Sequence, residues 1–343
     1  MRVLLVKLTS MGDLIHALPA LTDAMHAIPN LEFDWIIDEA FAEVATWHPA
    51  VKNIITTAHR RWRKNWTQHW LSKEIPNKIK SIRRKQYDLI IDGQSNLKAG
   101  IVTSLCKGPK AGLDWHSARD AICSLVYQHK YAIDKQLHAV TRLRILFAKA
   151  LHYSFNQNNL DFGIDRTKLL KPTFNLPQQY LFFVHNASWV TKLWPEKYWE
   201  TLIQMATREG HSVVLPCGND EEKARAERLA TIAPTMTIAL PKLPLSEVAY
   251  IAAHATAAVC VDTGLSHLVG AVGVPSINLY GATDSGLIGA PGERQIYLQS
   301  DFPCAPCYKE ICQFQGTSSV KPACYEQFSS AKVWNLLQTL TKR

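Results

Sequence analysis

Long apolar runs are missing from this chain. No stretch reaches the roughly eighteen uninterrupted apolar residues that a membrane-spanning helix needs, so none is expected. The apolar start is broken by Lys7, Asp13 and Asp23 and no small-residue cleavage site follows. It therefore reads as a first strand and helix, not a secretory signal, and the expected compartment is the cytoplasm. No G-x-G-x-x-G follows either strand-like opening described below, which argues against a nicotinamide-dependent oxidoreductase. No Asp-x-Asp pair suited to magnesium sits in a glycine-rich turn, so no metal site of that kind and no cofactor is expected. Acidic residues are scarce in one place: residues 52–85 hold about eleven basic side chains against the single acid Glu74.

What is present is enough for two α/β domains: 343 residues, 47% hydrophobic and 20% charged. The formal charge of +9 gathers on the 52–85 stretch, where Arg60-Arg-Trp-Arg-Lys-Asn-Trp66 interleaves cations with tryptophans. Such a face suits nucleic acid, phospholipid headgroups or a phosphorylated glycolipid, or is simply a solvated basic loop. No nucleic-acid-binding module is recognisable, and the charge lies at one loop and not along a groove, which argues against a nucleic-acid partner. The eight cysteines fall into two groups. Cys106, Cys123, Cys217 and Cys260 sit singly among apolar neighbours as small core residues. Cys304, Cys307, Cys312 and Cys324 follow C-x2-C-x4-C-x11-C, leaving a structural zinc site and four merely neighbouring thiols as the alternatives.

The first half alternates strand and helix: strand 3–6, helix 14–28, strands 33–37, 53–56 and 87–92, then helices from 97 and over 138–151. A polar, asparagine-rich stretch follows and ends the first domain, taken as residues 1–165, with 166–179 as linker. The second domain, 180–325, restarts with strands 180–185, 212–216, 236–240, 258–262 and 276–280, separated by helices over 195–209, 221–233 and 246–254. A last helix within 326–343 has no evident place in the second sheet and is expected to pack back across the linker onto the N-terminal domain. Alternation of this kind predicts mostly parallel sheets covered on both faces.

One segment concentrates the chemistry. In Ala257-Ala-Val-Cys-Val-Asp-Thr-Gly-Leu-Ser-His-Leu268 an apolar run ends in Asp262, Thr263 and Gly264, and a helix follows. Helix openings carry unpaired N–H groups and partial positive charge, Gly264 permits close approach of a phosphate, and His267 adds a donor one turn on. An ordinary N-cap is the competing reading. The same strand-turn-helix design opens the chain, with Asp13 in Leu8-Thr-Ser-Met-Gly-Asp13. There Asp13 is either a helix cap or a chemical group. Lys7 is either its neighbour or a strand-end charge facing solvent.

The combination K-x-x-S-M-G-D ending at Asp13, Asp262-Thr-Gly-Leu-Ser-His267 and Leu279-Tyr-Gly-Ala-Thr-Asp284 resembles glycosyltransferase family 9, the ADP-heptose:lipopolysaccharide heptosyltransferases. Phe33-Asp-Trp-Ile-Ile-Asp-Glu39, Trp47-His-Pro-Ala-Val51, Gly112-Leu-Asp-Trp115 and Lys192-Leu-Trp-Pro195 are similar to its heptosyltransferase I branch, across nearly the whole chain. The cysteine loop is more similar to the heptosyltransferase II branch, which adds the next heptose. The resemblance implies a GT-B fold, two Rossmann-like domains with mostly parallel sheets facing a central cleft. It also implies inverting transfer of L-glycero-D-manno-heptose from ADP-heptose to the first Kdo of Kdo2-lipid A. Asp13 is then the general base, since a carboxylate in the first turn of a helix is favoured in its charged form. The donor falls to Lys192, Asp262, Thr263, Gly264 and His267 at the diphosphate, with Ala187 and Ser188 beside it, Glu222 at the ribose and Leu243 on the adenine. Ala187 stands where the family usually has threonine. The acceptor falls to Arg60, Arg61, Arg63 and Lys64, with Arg119 added, since arginine grips phosphate and carboxylate bidentately. Also implied are a monomer and peripheral contact with the cytoplasmic face of the inner membrane.

Overall fold

The computed structural model describes residues 1–341. The chain divides into two units, Met1–Lys168 and the remainder from Leu169. The first holds six strands, β1 (Arg2–Val6), β2 (Glu32–Asp38), β3 (Val51–Thr57), β4 (Leu89–Asp92), β5 (Lys110–Leu113) and β6 (His129–Tyr131). They lie in the order β3-β2-β1-β4-β5-β6 and every pairing is parallel. The second unit holds β7 (Tyr180–Val184), β8 (Ser212–Leu215), β9 (Thr237–Ala239), β10 (Ala257–Val261), β11 (Ser276–Tyr280) and β12 (Gln295–Gln299). Their order is β12-β11-β10-β7-β8-β9, again parallel throughout.

Renumbered within each unit, both sheets run 3-2-1-4-5-6, the Rossmann order. Each chain half builds outward from its first strand, then crosses back to build on the other side. The crossing leaves a crevice at the carboxyl ends of β1 and β4 in one unit and of β7 and β10 in the other, and such switch points are where open α/β sheets take ligands. Two Rossmann-like units in one chain agree with the expected GT-B fold class.

Fully apolar strands explain the double-sided cover. Val3 through Val6, Phe182 and Phe183, and Val259 through Val261 are completely buried, as strands with helices on both faces must be. The second unit's core centres on Trp194 and Trp199, edge to face at 4.9 Å, with the Trp194 indole N–H donating to Phe328 O at 3.0 Å.

Three expectations change. Residues 14–28 form two helices, Met11–Ile15 and Leu18–Ala27, because Pro19 in the second helix's first turn removes a donor and crowds the carbonyl four residues back, at Ile15. The basic stretch is not a loop but three short helices, His59–Trp62, Trp66–Leu71 and Glu74–Ile82. The last helix, Ser330–Thr341, finds a place in the second unit after all. Val333, Trp334 and Leu337 are buried in that unit's core, against β10, β11 and the helix Glu196–Arg208, and the Trp334 indole donates to Glu209 at 2.9 Å. The final two residues of that expected segment lie outside those described.

Candidate functional site

At the first unit's switch point the loop after β1 is pinned by the loop after β4. Gln94 Oε1 accepts from Leu8 N (2.6 Å) and Thr9 N (3.3 Å), while its amide nitrogen donates to Thr9 O at 2.6 Å. Gln94 is in turn held by its own N–H on Asp92 Oδ1, at 2.9 Å. Asp92 is wholly buried; burial pushes its carboxyl upward, countered by bonds from Ser95, Tyr127 and Gln94. Lys7 does not face solvent. Its ammonium is buried and donates to Gly93 O at 2.8 Å, and burial lowers its pKa against the pull of Asp13 and Asp92. The helix after this loop begins at Met11, so Asp13 sits at its third position and not at the cap. Its Oδ2 accepts from Ser10 N (2.8 Å) and Ser10 Oγ (3.0 Å), and the side chain stays exposed. Both readings of Asp13 are therefore compatible: it caps the turn and still presents a carboxylate.

Beside this loop lies a pocket of about 720 Å³, lined by Leu8, Thr9, His59, Arg60, Trp62, Arg63, Lys64, Trp66, Gln94, Asn96 and Lys98. Four of these are cations and none is a carboxylate, so the pocket is built for an anion. Arg60, Arg63 and Lys64 stand where the sequence placed them. Arg61 does not line the pocket: its guanidinium bridges Glu39 (2.9 Å) and Glu74 (2.7 Å), tying two helices together. Arg61 holds the Glu74 carboxyl down to about 2, helped by the Trp62 indole and His69. Arg119 is exposed and is also absent from the lining. His59, Asn96 and Lys98 were not anticipated. The signal was there, because Asp92-Gly-Gln-Ser-Asn96 is a third strand-end turn leading into a helix, with Asn96 as its cap at 3.0 Å to Ala99 N.

The second unit's switch point carries a matching device. Lys192, in the loop after β7, makes a 2.7 Å ion pair with Asp262 at the end of β10. Asp262 Oδ2 also accepts from the Thr283 hydroxyl, which follows β11. Lys192 lies 4.5 Å over the Trp189 ring, and Tyr325 OH donates to Lys192 O at 2.9 Å. The helix Gly264–Ala271 opens directly after Asp262 with Thr263 as N-cap, Thr263 and Gly264 half-buried and His267 buried in its first turn. A lysine held on the residue directly before a helix N-terminus puts positive charge where a diphosphate can be met. Ala187 packs half-buried on the core and Ser188 is exposed in the same loop as Lys192. Glu222 accepts from Gly218 N at 2.7 Å and so caps the turn before its own helix, while Leu243 is half-buried before the helix Leu245–Ala253. Thr283 is the residue here that sequence reasoning missed; its place in Leu279-Tyr-Gly-Ala-Thr-Asp284 was the available clue.

The four clustered cysteines line one pocket of about 410 Å³ with Thr191, Lys309 and Phe314. All are free thiols, and among the described residues no group of His, Cys, Asp or Glu converges to hold a metal ion. Burial raises the thiols of Cys304 and Cys324, the latter to about 12, and neighbouring sulfurs add to the rise. The four cysteines stand as neighbouring thiols.

A lysine paired to Asp262 just before a helix N-terminus in one unit, and a cationic pocket in the unit that carries the exposed Asp13, suit a glycosyltransferase of the GT-B class. The comparisons agree. The pattern of glycosyltransferase family 9 (heptosyltransferase) matches residues 77–318. Lipopolysaccharide heptosyltransferase 1 of Pseudomonas aeruginosa is 43% identical, over 99% of this chain and 98% of that protein. The protein of the same description in Escherichia coli strain K12 is 44% identical over 88% of this chain and 94% of its own length. The solved structure of E. coli heptosyltransferase WaaC with ADP superposes with a TM-score of 0.86 at 39% identity, covering 99% of this chain and all of that one. The chain belongs to glycosyltransferase family 9.

Proposed function

We propose that this enzyme performs the heptosyltransferase I reaction, moving heptose from ADP-heptose onto the lipopolysaccharide inner core, with the first Kdo of Kdo2-lipid A as acceptor. The observation that carries the reading is the exposed Asp13 carboxylate in the helix that follows the loop pinned by Gln94, the loop whose Leu8 and Thr9 line a pocket with entirely cationic charged side chains. The acceptor's carboxylates and phosphates answer that charge. Asp13 takes the proton of the attacking hydroxyl as the oxygen bonds to the anomeric carbon from the face opposite the leaving ADP, which inverts the configuration. The second unit takes the donor. Lys192, the Thr263 and Gly264 amides and His267 meet the charge that builds on the departing diphosphate, work that a metal performs in other sugar transferases. Asp262, fixed by Thr283, aims Lys192. Arg61 acts on the acceptor through the placement of Arg60, Arg63 and Lys64. The protein works as a monomer and as a peripheral visitor to the cytoplasmic face of the inner membrane.

The test is release of ADP from ADP-heptose with de-acylated Kdo2-lipid A, in EDTA. Turnover that survives chelation and needs no prior heptose supports the assignment. Turnover only on an acceptor already carrying one heptose moves the protein to the heptosyltransferase II reaction, and turnover only after magnesium is restored rejects the metal-free mechanism.

A further inference from the structure

The turn that carries Lys192 takes hydrogen bonds from a part of the chain more than a hundred residues further on. Thr191 is buried in the short helical turn Val190–Lys192. Its N–H donates to Glu310 O at 3.3 Å and its hydroxyl donates to Lys309 O. Lys192 is held from the same part of the chain, since Tyr325 OH donates to its carbonyl at 2.9 Å. Lys309, Glu310 and Tyr325 flank the clustered cysteines in the segment running from Cys304 to Tyr325. That segment holds a second loop as well. Tyr308 N donates to Ala282 O at 2.8 Å, one residue before Thr283. Cys324 and Tyr325 close on Gly281, where a Cβ would stand 2.8 Å from the Cys324 sulfur and 3.0 Å from the Tyr325 ring.

These two loops supply the partners of Asp262: Lys192 comes from one and Thr283 from the other. Thr191, Gly281 and the four thiols border the same cavity of about 410 Å³, so the segment and both loops meet around one gap. Thr191 is buried, so a bond lost there leaves a backbone group without water to replace its partner. We infer that the cysteine segment is part of the donor site, a clasp that sets Lys192 against Asp262 and Thr283, with Thr191 and Tyr325 as its positioning residues. Both act through the backbone that carries the Lys192 ammonium. The inference rests on the reading of Lys192 as a partner of the donor diphosphate. A segment that only closed the core of the second unit would affect stability without singling out Lys192.

The experiment is a double-mutant cycle on the full chain, with ADP binding read by titration calorimetry. Thr191→Val and Tyr325→Phe are each measured alone and combined with Lys192→Met. The expected result is ADP affinity weakened about fivefold or more in either single variant. In the Lys192→Met background the same substitutions should add less than about twofold, because the group they position is gone. Thr191→Ser keeps the hydroxyl and should recover most of the loss. Unchanged affinity in a folded Thr191→Val or Tyr325→Phe, or a Thr191→Ser as weak as the valine variant, overturns the inference. So does an equal loss with and without Lys192, which leaves the segment as core closure alone. Should Thr191→Val fail to fold, Tyr325→Phe carries the same cycle. If the wild type binds no ADP, or Lys192→Met binds it as the wild type does, the donor reading is what fails, and the inference falls with it.

Discussion

The proposed mechanism gives the Asp13 carboxylate two jobs, capping its helix and taking a proton. Its Oδ2 is committed to Ser10, so substitution separates the roles. Asp13→Asn removes the base and keeps the side-chain shape; Asp13→Ala removes both. Turnover should fall by about two to four orders of magnitude in either, with ADP affinity unchanged, and only the alanine variant should lose a few degrees of Tm from the missing cap. In the second unit, Thr283→Val strips the hydroxyl from Asp262 while leaving Lys192 and its pair in place. Its effect should appear as a severalfold higher KM for the donor with a smaller change in kcat, whereas Lys192→Met should lose about a hundredfold or more in kcat/KM. Steady-state kinetics with the donor varied separates the two. Asp262 was legible in the sequence because it ends an apolar run at a turn, Asp13 because it stands in the strand-turn-helix opening of the chain, and Lys192 only through the family resemblance of Lys192-Leu-Trp-Pro195. Thr283 was not, because nothing in its neighbours says that its hydroxyl reaches back to another strand's end.

At the scale of elements, the site depends on loops after strands being held by other loops. The loop after β1 has Leu8 N, Thr9 N and Thr9 O all satisfied by one side chain, Gln94. Gln94→Ala leaves these groups without that partner, at a cost of about 1–3 kcal/mol for each that stays dry, and lets the Asp13 turn wander. The prediction is a loss in kcat of tenfold or more with donor KM preserved, and no recovery in Gln94→Glu, which keeps the acceptor but not the donor to Thr9 O. Equal kcat in Gln94→Ala would contradict it. The central strands were readable from burial on both faces, which makes them continuously apolar. Strands β5 and β6, the last two on one side of the first sheet, and the edge strand β12 were not, since Lys110-Ala-Gly-Leu113, His129-Lys-Tyr131 and Gln295-Ile-Tyr-Leu-Gln299 are short or polar at their ends and are strands because a neighbour offers its backbone for pairing. The helices of the basic stretch escaped for a related reason. They are short, and Arg61 with its Glu39 and Glu74 partners links them in space, not in sequence.

Across the whole molecule, acid stability has a definite sign. Burial lowers His48 to about 4 and His185 to about 3, one histidine in each unit. The His48 ring accepts from Ala50 N at 3.1 Å and meets the Thr22 hydroxyl at 2.9 Å, as a neutral ring. The unfolded chain protonates these rings near pH 6.5 and the folded chain does not, so stability is full above about 6.5 and declines as the pH falls toward 4 and then 3. Glu74, held down to about 2, acts in the same direction below about 4.5. Tm should therefore drop between pH 7 and 5, and His48→Gln and His185→Asn, though less stable at pH 7, should each show a flatter slope. A slope unchanged in both variants would refute this account. The two-unit division and the Rossmann pattern were legible from the restart of strand–helix alternation. The place of the last helix was not, because Val333, Trp334 and Leu337 would suit any apolar surface, and only the assembled core of the second unit selects one.

The most direct test of the central claim is the paired measurement of turnover and donor binding in Asp13→Asn, with ADP-heptose and de-acylated Kdo2-lipid A in EDTA. The account predicts that wild type releases ADP and glycosylates the acceptor, while the variant binds ADP as tightly and turns over about a hundred to ten thousand times more slowly. A variant that keeps wild-type turnover would show that Asp13 only caps its helix and that the proton leaves by another route.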